Sequence, residues 1–167
     1  TYEAFHGSDT KFTNFSDEFV GGEEANDQEG PGIYFSSDQS EAEHYGTNLY
    51  KVMLSPRLML DDTPPNPKKM VPLLTKLVKM DPDWKMKAQD YDENPNIGLN
   101  EFIKSTLQYN DSEKDCLLQV WIDFYRYRPV DYVRNCVKLG IDGIAVRDEQ
   151  RRSSTHYIIY NPSIITK

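Results

Sequence analysis

Only three histidines occur in this 167-residue chain, and two stand in stretches that alternate like strands: His6 in "TYEAFHGS" and His156 in "THYIIYNPSII". A neutral imidazole accepts on one ring nitrogen and donates on the other, so either residue could serve a bound ligand as a nearby donor. Gly7 follows His6 and lacks the Cβ that would hold a ligand off the backbone, whose N–H and C=O match a planar carboxamide. Ser8 next to it and Phe35 in "GIYFSS" are further binding candidates. Tyr34 and Tyr45 lie 11 residues apart, in "GIYF" and "AEHY", and two phenol faces suit a flat heterocycle. Each residue also has an ordinary reading: a histidine closing a strand before a Gly-Ser turn, and amphipathic tyrosines in a core. Arg147, Arg151 and Arg152 surround the loop before His156, either as a solvated turn or as a local basic site. His44 adjoins Tyr45, but no ligand spacing links it to His6 and His156, so no metal site is expected. Cys116 and Cys136 are isolated, without CxxC spacing, and read as buried thiols that fit a reducing compartment.

The elements that must position these residues follow from pattern. "TYEAFHGS" and "GPGIYFSS" read as short strands closed by small polar residues. "DQSEAEHYG" reads as a helix capped by Ser37 or Asp38, with acids in its first turn and Gly46 as its stop. "NLYKVMLSPRLMLDD" alternates as a strand broken at Pro56, and the acidic stretch "SDEFVGGEEANDQEG" reads as a loop. After "DDTPPNP" the period changes to helical through "KKMVPLLTKLVKM", "LNEFIKSTLQY", "SEKDCLLQVWIDFYRY" and "PVDYVRNCVKLG". The third of these sets Leu117, Val120, Trp121 and Phe124 on one face, and Pro129 suits the first turn of the fourth. "DGIAVRD" and "HYIIYNPSII" then return to strand character. Strands, a helical insert and strands again make one α+β domain over residues 1–167, with the insert at about 62–130.

Composition narrows the functional classes. Residues 1–65 carry 13 acidic and three basic side chains, whereas the rest of the chain is slightly basic. An acidic face repels nucleic acid, which argues against generic duplex binding. No apolar run approaches the roughly 18 residues of a membrane span. No signal-peptide pattern opens the sequence, and a cytoplasmic setting, in a producer or a target cell, is expected.

The segments "FHGSDTKFTNF", "GPGIYFSSDQSEAEHY" and "LGIDGIAVRD…HYIIYNPSII" together resemble the ADP-ribosyltransferase fold. The likeness is closest to the ADP-ribosyltransferase domains of phage and bacterial polyvalent proteins, relatives of the poly(ADP-ribose) polymerase catalytic domain. It covers about residues 2–60 and 131–166. The resemblance implies a split, mainly antiparallel β core and NAD as co-substrate. It places His6 on a ribose, the Gly7 backbone on the nicotinamide amide, and Tyr34 and Tyr45 on either side of the nicotinamide ring. Ala42 stands where relatives often carry a serine that bonds the amide.

The chain departs from the family at its third motif. His156 occupies the position expected of a glutamate that bonds the ribose 2′-hydroxyl and faces the positive charge of an oxocarbenium-like transition state. Three alternatives follow. His156 acts as a neutral acceptor, Glu149 swings in from the loop before it, or the domain binds NAD or ADP-ribose without transferring. The resemblance implies ADP-ribosylation of a protein or RNA acceptor, and loss of the glutamate that would also activate the next hydroxyl points to mono-transfer, with an NAD glycohydrolase toxin or effector as the alternative. The helical insert either buttresses the sheet or meets a partner such as an antitoxin.

Overall fold

A computed structural model describes residues 1–16, 29–147 and 154–167. In chain order it has strands β1 (Tyr2–Ser8) and β2 (Ile33–Ser36), helix α1 (Gln39–Ala42), then β3 (Asn48–Leu54) and β4 (Met59–Leu60). Five helices follow: α2 (Pro67–Lys79), α3 (Trp84–Ala88), α4 (Pro95–Tyr109), α5 (Glu113–Val120) and α6 (Pro129–Lys138). Strands β5 (Gly143–Arg147), β6 (Thr155–Ile159) and β7 (Ile165–Thr166) complete the chain. The architecture is α+β, as the pattern predicts. Glu149, Arg151 and Arg152 lie outside the described residues.

Side-chain caps start α2, α4 and α5, and α4 begins at Pro95, four residues before the expected "LNEFIKSTLQY". Asn66 and Asn94 accept from the second backbone N–H beyond them, at 3.1 and 3.0 Å, and each is followed by proline at the first helical position. Ser112 caps α5 through Asp115 N at 3.2 Å. In α2 the buried residues Met70, Leu74, Leu77 and Val78 follow the i, i+4, i+7, i+8 rhythm of an inward face. One expected helix over "SEKDCLLQVWIDFYRY" is instead α5 followed by a π-helical turn at Trp121–Tyr125. That wider turn buries Phe124 and Tyr125 and leaves Trp121 half-buried.

The strands form one sheet in the order β4-β5-β6-β2-β1-β3-β7, antiparallel except for β4 and β5. The expected split survives only as a seam. β1 pairs with β3 from Tyr2–Leu54 to Ser8–Asn48, but with β2 only through Phe5 and Ser36. Alternation then assigns the faces. Tyr34, Ser36, His156, Ile158 and Ile144 share one face with Phe5 and Gly7, whereas His6, Phe35, Tyr50 and Tyr157 lie on the other.

Helix α6, which follows the insert, is tied to the β6 side of the sheet. Tyr132 of α6 meets Tyr160, just past β6, hydroxyl to hydroxyl at 3.1 Å. Before β5, Asp142 has a wholly buried side chain held by Arg57. Arg57 donates to it from its backbone N at 2.7 Å and from Nη2 at 2.8 Å, and Asn161 donates at 2.9 Å. Burial pushes the Asp142 carboxyl up, but the hydrogen bonds and charge of Arg57 and the Asn161 amide hold it below the usual range. Asp142→Ala would orphan the Arg57 backbone N–H and the Asn161 amide together. We expect it to destabilise the fold by about 3 kcal/mol, read as a lower urea midpoint at unchanged slope.

Candidate functional site

Two centres sit beside the seam, one on each face. The first is the pair formed by His156 of β6 and Glu41 of α1. Ser36 lies directly across from His156 in the β2–β6 ladder, so both side chains rise towards α1. Asp38 caps α1 by accepting from Ser40 N at 2.9 Å. Asp38 and Glu41 have the spacing of a capping box, in which the acid would reach back to the cap's own N–H. Here Ser36 Oγ takes the Asp38 N–H at 3.0 Å, and Glu41 turns inwards. Its Oε2 accepts from Ser36 Oγ at 3.2 Å, and its Oε1 makes a short contact with His156 Nε2.

Glu41 is 5% exposed, and its carboxyl answers to opposing forces. Burial raises its pKa, while Ser154, His156 and Ser36 together outweigh that and hold it below the ordinary value. An ionised carboxylate only accepts, so Nε2 of His156 carries the proton in this pair. In the neutral ring Nδ1 is then the acceptor, and the His156 side chain keeps 29% of its surface.

The second centre is His6. Ser37 N donates to Thr155 O at 2.9 Å, so alternate residues of β2 direct their backbone groups towards β6, and the Tyr34 carbonyl faces β1. His6 Nδ1 donates to that carbonyl at 2.6 Å, replacing a ladder bond where β1 and β2 separate. The rings of Phe15 and Phe35 lie 5.4 Å from the imidazole, with Phe12 at 5.9 Å and Tyr50 at 6.2 Å. Burial among them pushes the His6 pKa down, against the opposing hydrogen bond to Tyr34.

The expected residues therefore divide. His6 and His156 are on neighbouring parts of the sheet but on opposite faces, so the single cleft expected to hold both is not formed by their side chains. Phe35, expected at the ligand, is buried at 2% exposure against His6 and Phe15. Gly7 was expected to open its backbone to a ligand; instead a Cβ there would sit 1.9 Å from the Ala42 carbonyl, so the missing side chain admits α1. Ser8 Oγ accepts from Thr10 N at 3.0 Å and closes the turn after β1. Tyr34 is half-buried, and its hydroxyl donates to the Gly30 carbonyl. Tyr45 is 64% exposed and lines an open groove with Asp9, Glu43, His44 and Leu49. The two phenols thus have different surroundings, one against the core and one at the surface.

Sequence reasoning missed Glu41 and Ser36. The signal was the acid three residues after Asp38, read as an ordinary first-turn charge; its unusual feature is the adjoining Ala42, which is buried and pulls that side of so short a helix against the sheet. Among the described residues, no group of three or more histidine, cysteine or acidic side chains is arranged for a metal ion, and no helix is long and apolar enough to cross a membrane.

No family model matches the chain, and no curated protein matches it significantly. Among solved structures, a crystal structure of an anti-CRISPR protein aligns with 98% of this chain and 91% of its own, at 19% identity and a TM-score of 0.40. A likeness at that level carries no argument.

The His6 environment gives a pH dependence with a definite sign. As pH falls below the ordinary histidine value of 6.5, the unfolded chain takes up a proton that the folded chain resists, so stability declines. Glu41 adds a separate loss below its ordinary value of 4.5. Urea midpoints between pH 7.5 and 5 are expected to fall in wild type. His6→Asn, which keeps an amide donor for Tyr34, is expected to flatten that decline.

Proposed function

We propose that the protein cleaves NAD at its nicotinamide–ribose bond and transfers ADP-ribose singly to an acceptor. The observation that carries this reading is strand order. The three segments behind the ADP-ribosyltransferase resemblance are neighbours, β1, β2 and β6, and the β1–β2 ladder parts at their junction. We read this fork as the place where NAD would lie, and His6 reaches across it to the backbone of β2.

The missing glutamate has a counterpart in space. Glu41 puts a carboxylate directly behind His156. The pair carries one negative charge when the ring is neutral and none when it is protonated, so in neither state does it oppose the positive charge that develops on the ribose. Glu149 lies outside the described residues; the contact of Glu41 with His156 is what supports the His156 assignment. Tyr34, on the same face as His156, would contribute an aromatic wall, and the exposed Tyr45 would close over the ring from the end of α1. Both the groove at Tyr45 and the helical insert remain surfaces for a protein or RNA acceptor or for an antitoxin.

Incubation with NAD labelled in its adenylate half tests the reading. Label on a macromolecule supports transfer, and free ADP-ribose supports the glycohydrolase alternative. Calorimetric binding without turnover would leave an NAD or ADP-ribose binding module. Tyr34→Ala is expected to raise the Michaelis constant for NAD several-fold, reflecting about 1 kcal/mol of lost ring contact. An unchanged constant would remove Tyr34 from the site.

A further inference from the structure

We infer that Glu41 is a positioning residue that makes His156 the general base for a hydroxyl acceptor, water or an alcohol. The inference rests on the NAD reading above and deepens it by naming the acceptor class. Glu41 is too enclosed to meet a substrate, because both of its oxygens are engaged and only 5% of the residue is exposed. Its influence passes through His156. The contact at Nε2 fixes the tautomer, turns Nδ1 into the acceptor, and places a negative charge where the ring becomes positive on taking a proton.

The pairing differs from the other buried acids of the molecule. Asp142 is matched by Arg57, and Asp81 by Lys87 at 2.7 Å and by Arg128, all permanent cations. Glu41 is matched by the Ser36 hydroxyl and a histidine, groups that do not hold a fixed charge. A carboxylate whose purpose was only to be neutralised would be satisfied by lysine or arginine. One backed onto a partly exposed imidazole is arranged to help a proton move.

The step balances as follows. The bond between ribose C1′ and the nicotinamide nitrogen breaks, and its electron pair neutralises the pyridinium. The acceptor oxygen forms the new bond to C1′, and its proton passes to Nδ1 of His156 and then to solvent. A hydroxyl needs such a base, because its proton is held tightly in the ground state. A guanidinium is also a poor fit, since it stays protonated far above neutral pH. Azide, already an anion, needs no base.

Partitioning with small acceptors tests this on the full chain. Wild-type protein is given labelled NAD with methanol, agmatine or azide, and the hydrolysis and capture products are separated. We expect water and methanol to be used and agmatine not. Glu41→Gln, which keeps the shape but not the charge, is expected to lower kcat for hydrolysis and methanolysis by about 100-fold, with the Michaelis constant for NAD little changed. Azide capture should survive in that variant, which also shows that the site is folded. Equal loss of azide capture would overturn the positioning role, and labelled agmatine would overturn the hydroxyl class while leaving NAD cleavage standing. If wild-type protein releases no nicotinamide with any acceptor, the functional reading fails and takes this inference with it.

Discussion

The approach of α1 to the backbone of β1 governs the geometry of the site. The carbonyl of Ala42 occupies space that a side chain at residue 7 would fill, and a Cβ on Gly46 would likewise lie 2.2 Å from the Ser8 carbonyl carbon. Two glycines thus let a one-turn helix and the turn after it lie flat on a strand end. Only at that spacing does Glu41 reach Ser36 and His156 on the neighbouring strands. A larger residue at either position would lift the helix and leave a carboxylate without its donors, which is expensive in a buried setting.

Buried acids elsewhere obey a different logic. Asp81 and Asp142 each meet arginine, and one also meets lysine, in places where several chain segments converge. They fix connections: Asp81 ties the end of α2 to α3 and to the start of α6, and Asp142 ties the β3–β4 connection to the start of β5. Glu41 joins α1 to β2 and β6, and the Ser36 hydroxyl and the His156 ring that it meets have a chemistry of exchange rather than of permanent charge. The contrast is local and physical, and it separates an acid that supports the scaffold from one that addresses the surface.

Much of the framework was legible in the chain. Asn-Pro and Ser starts, the apolar stripe of α2, the break at Pro56 and the strand character of β1, β2, β5 and β6 all carry short-range signals, and the structure uses each of them. The short α3 was missed because "DWKMKA" is too brief to establish a period, and the π-helical turn because a widened turn keeps the same apolar residues. The site was harder to read. Alternation places His6 and His156 on faces only once the register with β2 is known, and a single-residue slip would have put both on one side. Glu41 was hidden for another reason: capping and inward burial use the same residue type at the same spacing, and long-range partners decide between them.

The seam between β1 and β2 divides the sheet mechanically as well as chemically. On one side, β4, β5, β6 and β2 pair in turn; on the other, β1, β3 and β7 do so. Across the seam, among the described residues, run one pair of facing residues, the His6 imidazole with its ring contacts to Phe35, the Tyr2–Tyr157 contact and the short arm of α1. The join between the two sides therefore rests more on side chains than on the backbone ladder.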